Sequence, residues 1–129
     1  IKEEVFPARH KVLIIDDEHD VVEFIKGALE TMDAGYLIET AGDGYEGLIK
    51  VGDFKPELMV LDIRMPKLDG FEVCRRIKQD KSTKDIKILA VTAYGTDDIE
   101  KMLQCGADYC LPKPIRLKDF QKNVHRLLK

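Results

Sequence analysis

Short apolar runs recur along the chain, separated by longer segments in which apolar residues lie three or four positions apart. Runs of this length, rich in Val, Ile and Leu, are typical of parallel strands that are buried on both faces. The second run alternates only partly between apolar and polar residues, which favours a place near the edge of a sheet. The predicted strands are residues 12–15, 36–40, 58–61, 86–91 and 109–111.

The segments that follow these runs have the spacing of amphipathic helices, with an apolar stripe along one face. The stripes are Val21, Ile25, Ala28, Leu29 and Met32; Phe71, Cys74 and Ile77; Ile99, Met102 and Leu103; and Leu117, Phe120, Val124 and Leu127. Residues 44–51 form a weaker predicted helix, because Gly47 lowers the helix propensity of this segment.

Polar residues and a glycine mark where some of the predicted helices begin and end. Asp69, with Glu72 three residues later, predicts the start of the third helix. Thr96 or Asp97 is the predicted cap of the fourth helix. Gly106 is the predicted stop of that helix, because glycine readily adopts the conformation that ends one.

The strict alternation of strand and helix predicts an α/β fold. Right-handed crossovers between successive strands give a parallel sheet with helices on both sides. We therefore predict a single flavodoxin-like domain over residues 11–129, with a doubly wound (βα)5 sheet in strand order 2-1-3-4-5. Residues 1–10 are predicted to form an N-terminal extension. Because the chain does not begin with Met, we expect it to be trimmed or part of a longer protein.

Composition narrows the function without changing the fold. The sequence has 44% hydrophobic and 35% charged residues, which is ordinary for a globular domain. A net charge of −3 gives no electrostatic basis for nucleic-acid binding. Apolar runs such as 58–61 are far shorter than the roughly 20 residues of a membrane span, and the charged residues 1–10 do not form a signal peptide. We therefore expect a cytoplasmic protein without a membrane or nucleic-acid partner.

The three cysteines, Cys74, Cys105 and Cys110, are odd in number and form no Cys-x-x-Cys pair. This pattern favours buried, reduced thiols in a cytosolic protein over a redox or metal site. His19 lies next to an acidic run, but we interpret it as an exposed helix residue rather than a metal ligand.

Residues with complementary chemistry follow four of the five predicted strands. Asp16 and Asp17 follow the first strand, Asp62 the third, Thr92 the fourth and Lys113 the fifth. In open parallel sheets, function gathers at the carboxyl ends of the strands, beside the point where the strand order reverses. Because the first and third strands flank that point, we expect the three carboxylates to meet there.

Clustered carboxylates repel each other, and two unit charges ~4 Å apart at an effective dielectric near 20 cost ~4 kcal/mol. A Mg²⁺ ion relieves this repulsion, because it binds one or two carboxylates and keeps positions for water and phosphate oxygens. Lys113 adds a compact positive charge, and Thr92 adds a hydroxyl that can donate to a phosphoryl oxygen. The predicted chemistry is transfer of a phosphoryl group onto Asp62, followed by hydrolysis of the acyl phosphate.

Each of these residues also has an ordinary structural interpretation. An Asp at a strand end is commonly a turn residue or a helix cap, and Asp17 is placed to cap the first helix. The corresponding alternatives are a loop position for Thr92 and a solvated side chain for Lys113. The combination at the ends of neighbouring strands favours the phosphoryl-accepting site.

Four short motifs resemble the signature of receiver domains in two-component response regulators. They are Asp-Asp-Glu at 16–18, Asp-Ile-Arg-Met-Pro-Lys-Leu-Asp-Gly at 62–70, Thr-Ala at 92–93 and Lys-Pro at 113–114. Their order and spacing match over residues 11–128, nearly the whole chain. The resemblance implies a signalling switch that catalyses only its own phosphorylation and dephosphorylation. Its implied partners are a sensor histidine kinase or histidine phosphotransfer protein upstream, and a downstream protein or fused output domain.

The resemblance also implies a role for each site residue. Asp62 is the implied phosphoacceptor, and Asp17 and Asp62 are the implied direct ligands of Mg²⁺. Asp16 would act largely through a bound water, and the backbone carbonyl of Arg64 would complete the metal site. Lys113 would pair with Asp62 before phosphorylation and with the phosphoryl group afterwards.

One position departs from the family pattern. Receivers usually carry Tyr or Phe three residues before the lysine, where this chain has Cys110, and the aromatic Tyr109 lies one position earlier. One step along a strand moves a side chain to the opposite face of the sheet. Thr92 is therefore the implied switch residue, whereas Tyr109 takes part only if a bulge returns it to the usual face. We also predict a cis bond between Lys113 and Pro114, because receivers use this turn to aim the lysine.

Other proteins of this architecture are the alternatives. A nucleotide- or flavin-binding protein needs a glycine- or hydroxyl-rich phosphate loop after the first strand, where this chain has the acidic run 16–20. A haloacid-dehalogenase-like phosphatase resembles an Asp-x-Asp arrangement, which neither 16–17 nor 62–64 matches. A pseudo-receiver without phosphate chemistry is disfavoured, because the acidic, hydroxyl and lysine residues are all present.

Overall fold

The computed structural model describes residues 9–32, 34–93 and 95–129. Most of the predicted N-terminal extension over residues 1–10 therefore lies outside the described residues. The elements are β1 (Lys11–Ile15), α1 (His19–Glu30), β2 (Leu37–Ala41), α2 (Gly44–Phe54), β3 (Leu58–Asp62), α3 (Gly70–Gln79), β4 (Lys87–Thr92), α4 (Thr96–Gln104), β5 (Tyr109–Pro112) and α5 (Leu117–Leu128). Within the described ranges, every helix is too short or too polar to cross a membrane.

The strands of the described part of the chain form one parallel sheet in the order β2-β1-β3-β4-β5. This order confirms the predicted flavodoxin-like, doubly wound fold and the predicted edge position of the second strand. The order reverses between β1 and β3, which are hydrogen-bonded neighbours. The carboxyl ends of these two strands therefore border the crevice in which sites of such sheets lie.

Helices cover both faces of the sheet, and successive side chains of each strand point to opposite faces, so the inner strands are buried on both sides while the edge strand β2 is partly exposed. In β1, Leu13 and Ile15 face the core layer beneath α2, α3 and α4, whereas Val12 and Ile14 face the layer beneath α1 and α5. All four of these side chains are fully buried. The continuous apolar runs in the sequence reflect this two-sided burial.

Helix starts are set partly by side-chain caps. The predicted start of the third helix is confirmed, because the Asp69 carboxylate accepts a hydrogen bond of 3.0 Å from the backbone N–H of Glu72. The predicted cap of α4 by Thr96 or Asp97 is wrong, because Gly95 is the cap. The carbonyl of Gly95 accepts a 3.1 Å hydrogen bond from the backbone N–H of Asp98, so the helix begins one residue earlier than a Thr96 cap predicts and two earlier than an Asp97 cap.

Two glycines, Gly47 and Gly106, occupy positions where the structure gives a reason for glycine. Gly47 lies inside α2 because a Cβ at this position would collide with the side chain of Ile15. The helix packs closely on β1 there and continues to Phe54, beyond the predicted segment. Gly106 follows α4 with a φ of +107°, which confirms its predicted role as the stop of that helix.

Candidate functional site

Acidic side chains meet at the carboxyl ends of β1 and β3. Carboxylate oxygens of Asp16, Asp17, Glu18 and Asp62 all lie within 4.8 Å of one another. The structure thus brings together the three carboxylates that sequence analysis expected to meet. It adds Glu18, which belongs to the same acidic run but was not assigned to the site.

The ammonium group of Lys113 lies among these carboxylates. The Nζ atom of Lys113 lies 3.2 Å from Oδ1 of Asp62, 3.4 Å from Oδ2 of Asp16 and 3.2 Å from Oε1 of Glu18. The backbone N–H of Lys113 donates to the carbonyl of Thr92 at 2.7 Å, which ties the end of β5 to the end of β4. The peptide bond between Lys113 and Pro114 is cis, as predicted.

The pocket carries more negative than positive charge, and two of its carboxylates, Asp16 and Asp62, are buried. Burial, and then the charge of Asp16, raise the pKa of Asp62 to about 6, although Lys113 acts in the opposite direction. Burial also raises the pKa of Asp16, partly offset by the backbone N–H of Glu18, which donates to Asp16 at 2.8 Å. Burial opposes the charge on Lys113, but the carboxylates of Asp62 and Asp16 outweigh it and raise the lysine pKa. A pocket of this kind favours a further cation.

The structure tests the ordinary structural interpretations of Asp17 as a helix cap and of His19 as an exposed helix residue. Glu18 is the N-cap of α1, so Asp17 lies one residue before the cap and the helix-cap interpretation is wrong. Asp17 is exposed at the mouth of the acidic group instead. His19 is the first residue of α1 and is exposed, as expected.

Thr92 is buried at the end of β4 and contacts a carboxylate that sequence analysis missed. Its Oγ1 donates to Oδ2 of Asp98, in the first turn of α4, at 3.5 Å. The same carboxylate accepts from Arg64, through Nε at 2.9 Å and Nη2 at 2.6 Å. Asp98 and Met102 are both buried and four residues apart. The sequence signal that could have identified Asp98 is its position four residues before Met102, on the apolar stripe of the fourth helix.

Tyr109 and Cys110 lie on opposite faces of the sheet. Cys110 pairs with Ala90 and Tyr109 with Leu89 in a continuous register, without the bulge that was the alternative. Cys110 is buried in the layer beneath α4, whereas Tyr109 is 41% exposed, with the Arg126 guanidinium 5.1 Å from its ring centre. Cys74, Cys105 and Cys110 are free thiols, as predicted, but only Cys74 and Cys110 are buried, whereas Cys105 is partly exposed.

The fold and the site together define a class of protein. It is a doubly wound α/β domain in which acidic side chains and a lysine meet where the strand order reverses, with a buried threonine at the end of the neighbouring strand β4. The model of the response regulator receiver domain matches residues 12–125. The chain therefore belongs to the family of response regulator receiver domains, which act in two-component signalling.

Curated relatives match most of the chain. The DNA-binding dual master transcriptional regulator RpaA of Synechocystis is 37% identical over 120 residues, or 92% of this chain and 49% of the relative. The alkaline phosphatase synthesis transcriptional regulatory protein PhoP of Bacillus subtilis is 38% identical over 121 residues, or 92% and 48%. The chain thus spans about half the length of the curated relatives it matches.

Solved receiver domains have the same fold. The signal receiver domain of the DNA binding response regulator merR from Colwellia psychrerythraea has a TM-score of 0.87 at 28% identity, covering 92% of this chain and 98% of that one. The chemotaxis protein CheY4 of Vibrio cholerae has a TM-score of 0.84 at 30% identity, covering 93% and 99%.

Proposed function

We propose that Asp62 takes up a phosphoryl group from a sensor histidine kinase or a histidine phosphotransfer protein. The observation that carries this proposal is the position of the Asp62 carboxylate. It lies at the end of β3, is 4% exposed, contacts the Lys113 ammonium at 3.2 Å and faces the carboxylates of the β1 end. With a pKa of about 6, it is mostly ionised at neutral pH and can act as a nucleophile.

Asp62, Lys113 and Thr92 have different roles in the phosphoryl transfer. An Asp62 oxygen forms a bond to phosphorus while the bond from phosphorus to the donor histidine nitrogen breaks. Lys113 balances the negative charge that arrives and moves from the carboxylate to a phosphoryl oxygen. The Thr92 hydroxyl donates to another phosphoryl oxygen. Attack of water on phosphorus later restores Asp62, so the domain catalyses only its own phosphorylation and dephosphorylation.

The donor set fits Mg²⁺, which prefers oxygen ligands and keeps several waters. The carboxylate oxygens lie within 4.8 Å of one another, close enough to share an ion. Asp17 and Asp62 would bind it directly, Asp16 would act largely through a water, and the backbone carbonyl of Arg64 would complete the set. The ion supplies positive charge that offsets the repulsion among carboxylates and phosphoryl oxygens.

The partners follow from this chemistry. Upstream, the domain accepts its phosphoryl group from the kinase or phosphotransfer protein in the cytoplasm. Downstream, a separate protein or a fused output domain responds to the phosphorylated form. The name of one relative describes it as DNA-binding, and this function is a property of that longer protein. We propose no nucleic-acid or membrane contact by this domain, which has a net charge of −3.

Incubation with acetyl phosphate and Mg²⁺ should add one phosphoryl group, read by intact mass. The label should be stable to acid and labile to base, and it should be absent in Asp62→Asn. Asp53→Asn, at an exposed position on α2, is the matched control and should label like the wild type. Full labelling of Asp62→Asn, or labelling without any divalent ion, would contradict the assignment of Asp62 as the Mg²⁺-dependent phosphoacceptor.

Mg²⁺ should bind weakly to the unphosphorylated protein, and Asp17→Ala should weaken it by roughly tenfold or more, since even outer-shell partners of a metal affect affinity on that scale. Titration of Mg²⁺ against amide chemical shifts near Asp17 and Asp62 measures the affinity. Asp20→Ala removes an exposed carboxylate from the first turn of α1 and should leave it unchanged. Equal affinities in the two variants would argue against Asp17 as a direct ligand.

A further inference from the structure

Asp98 connects the first turn of α4 to the end of β4 and to the loop that follows β3. Its side chain is only 9% exposed and belongs to the first turn of α4. One carboxylate reaches Thr92 at the end of β4 and, through two hydrogen bonds, Arg64 in the loop after β3. The bonds to Arg64 are short and charge-assisted, whereas the 3.5 Å contact with Thr92 is long and weak.

Asp98 also lies on the side of the sheet where this chain has no aromatic residue in β5. Cys110 is buried on that side, whereas Tyr109 faces the opposite side. Burial, and then the negative charge of Asp98, raise the pKa of the Cys110 thiol to about 11. The Asp98 carboxylate thus contacts Thr92 directly and acts electrostatically on Cys110.

The chemistry of the Thr92 hydroxyl makes two hydrogen bonds mutually exclusive. A hydroxyl has one proton and can donate it to only one acceptor at a time. In the unphosphorylated protein Oγ1 of Thr92 donates to Asp98. A phosphoryl group on the neighbouring strand end would take the same proton, so the Asp98 contact must then be given up.

We propose that Asp98 is the positioning residue that couples Thr92 to α4, in place of an aromatic side chain in β5. Its carboxylate holds the Thr92 hydroxyl and Arg64 in the unphosphorylated protein and loses the hydroxyl when Asp62 is phosphorylated. This inference rests on the proposed phosphorylation of Asp62. Because Asp98 stays paired with Arg64, the first turn of α4 is loosened rather than unfolded, and its surface changes for the downstream partner.

Hydrogen exchange over residues 96–104, read by mass spectrometry with and without acetyl phosphate and Mg²⁺, tests the coupling. In the wild type, phosphorylation should speed exchange by roughly two- to fivefold, as expected for losing one long, weak hydrogen bond. Asp98→Asn, which weakens the bonds to both Thr92 and Arg64, should exchange at least that fast before phosphorylation and change little afterwards. Asp97→Asn, which removes an exposed charge from the same helix turn, should behave like the wild type.

The outcomes separate this inference from the proposed function. If intact mass shows no label on any protein, the wild type included, the proposed function fails and the inference fails with it. If Asp98→Asn labels normally but keeps the full phosphorylation-dependent change in α4, only the inference fails. Should Asp98→Asn not fold, Arg64→Gln changes a side chain that is 52% exposed and removes the two short bonds. Unchanged α4 exchange in unphosphorylated Arg64→Gln would then overturn the inference.

Discussion

Asp62→Asn should stabilise the unphosphorylated protein by up to about 3 kcal/mol at neutral pH without divalent ions. Burial and the charge of Asp16 raise the pKa of Asp62 from 3.8 to about 6. Each pKa unit corresponds to about 1.4 kcal/mol, so ionisation of the Asp62 carboxyl lowers the free energy of unfolding by up to about 3 kcal/mol. An uncharged amide of the same shape removes the penalty, and Lys113 keeps Asp16 and Glu18 as partners.

The pH dependence identifies the cause. Because the pKa of Asp62 is raised on folding, its contribution to stability is fully present below about pH 4 and is lost as the pH rises through about 6. The advantage of Asp62→Asn should therefore be small near pH 4 and complete above pH 7. Urea unfolding across this range measures it. Millimolar Mg²⁺ should reduce the difference in unfolding free energy between Asp62→Asn and the wild type, because an ion bound at the site would stabilise the charged Asp62 carboxylate of the wild type.

Asp53→Asn is again the control, since an exposed substitution should change the unfolding free energy by no more than about 0.5 kcal/mol. A gain for Asp62→Asn that is equally large at pH 4 and pH 7 would contradict the electrostatic explanation. A loss of stability at pH 7 would show that the pairing with Lys113 outweighs burial and repulsion.

Gly70→Ala should destabilise the protein by about 2–4 kcal/mol, at the upper end of what overpacking costs. A Cβ on Gly70 would lie 2.6 Å from the carbonyl oxygen of Asp62 and 2.7 Å from Cα of Ile63. Both are backbone atoms, so neither moves without displacing the end of β3. The 2.8 Å hydrogen bond from Gly70 N–H to the Ile63 carbonyl would be disturbed as well. Urea unfolding measures the loss, and phosphoryl labelling should slow because Asp62 is displaced.

Gly52→Ala is the matched control for this substitution. Gly52 lies inside α2, where a Cβ would meet nothing within 4 Å. Alanine should therefore stabilise the protein there by roughly 0.5–1 kcal/mol, through the lower entropy of the unfolded chain and better helix propensity. Equal effects of the two substitutions would show that the close approach at Gly70 is relieved at little cost.

Several features of this protein follow from the sequence alone. The apolar runs predict strands buried on both faces, and strict alternation with helices predicts the parallel sheet that the structure has. Parallel strands bring their carboxyl ends to one edge, so Asp16, Asp62 and Lys113 could be placed together before any distance was known. The opposite directions of Tyr109 and Cys110 follow from the two-residue period of a strand.

Other features depend on how elements distant in the sequence approach each other. The burial of Asp98 against Thr92 and Arg64 depends on the rotation and depth of α4, which local sequence does not determine. The reach of Glu18 to Lys113 spans 95 positions of the chain. Gly70 is required only because α3 begins against the backbone of β3. Local patterns determine which elements form and which way their side chains point, whereas only tertiary packing determines which side chains come within hydrogen-bonding distance.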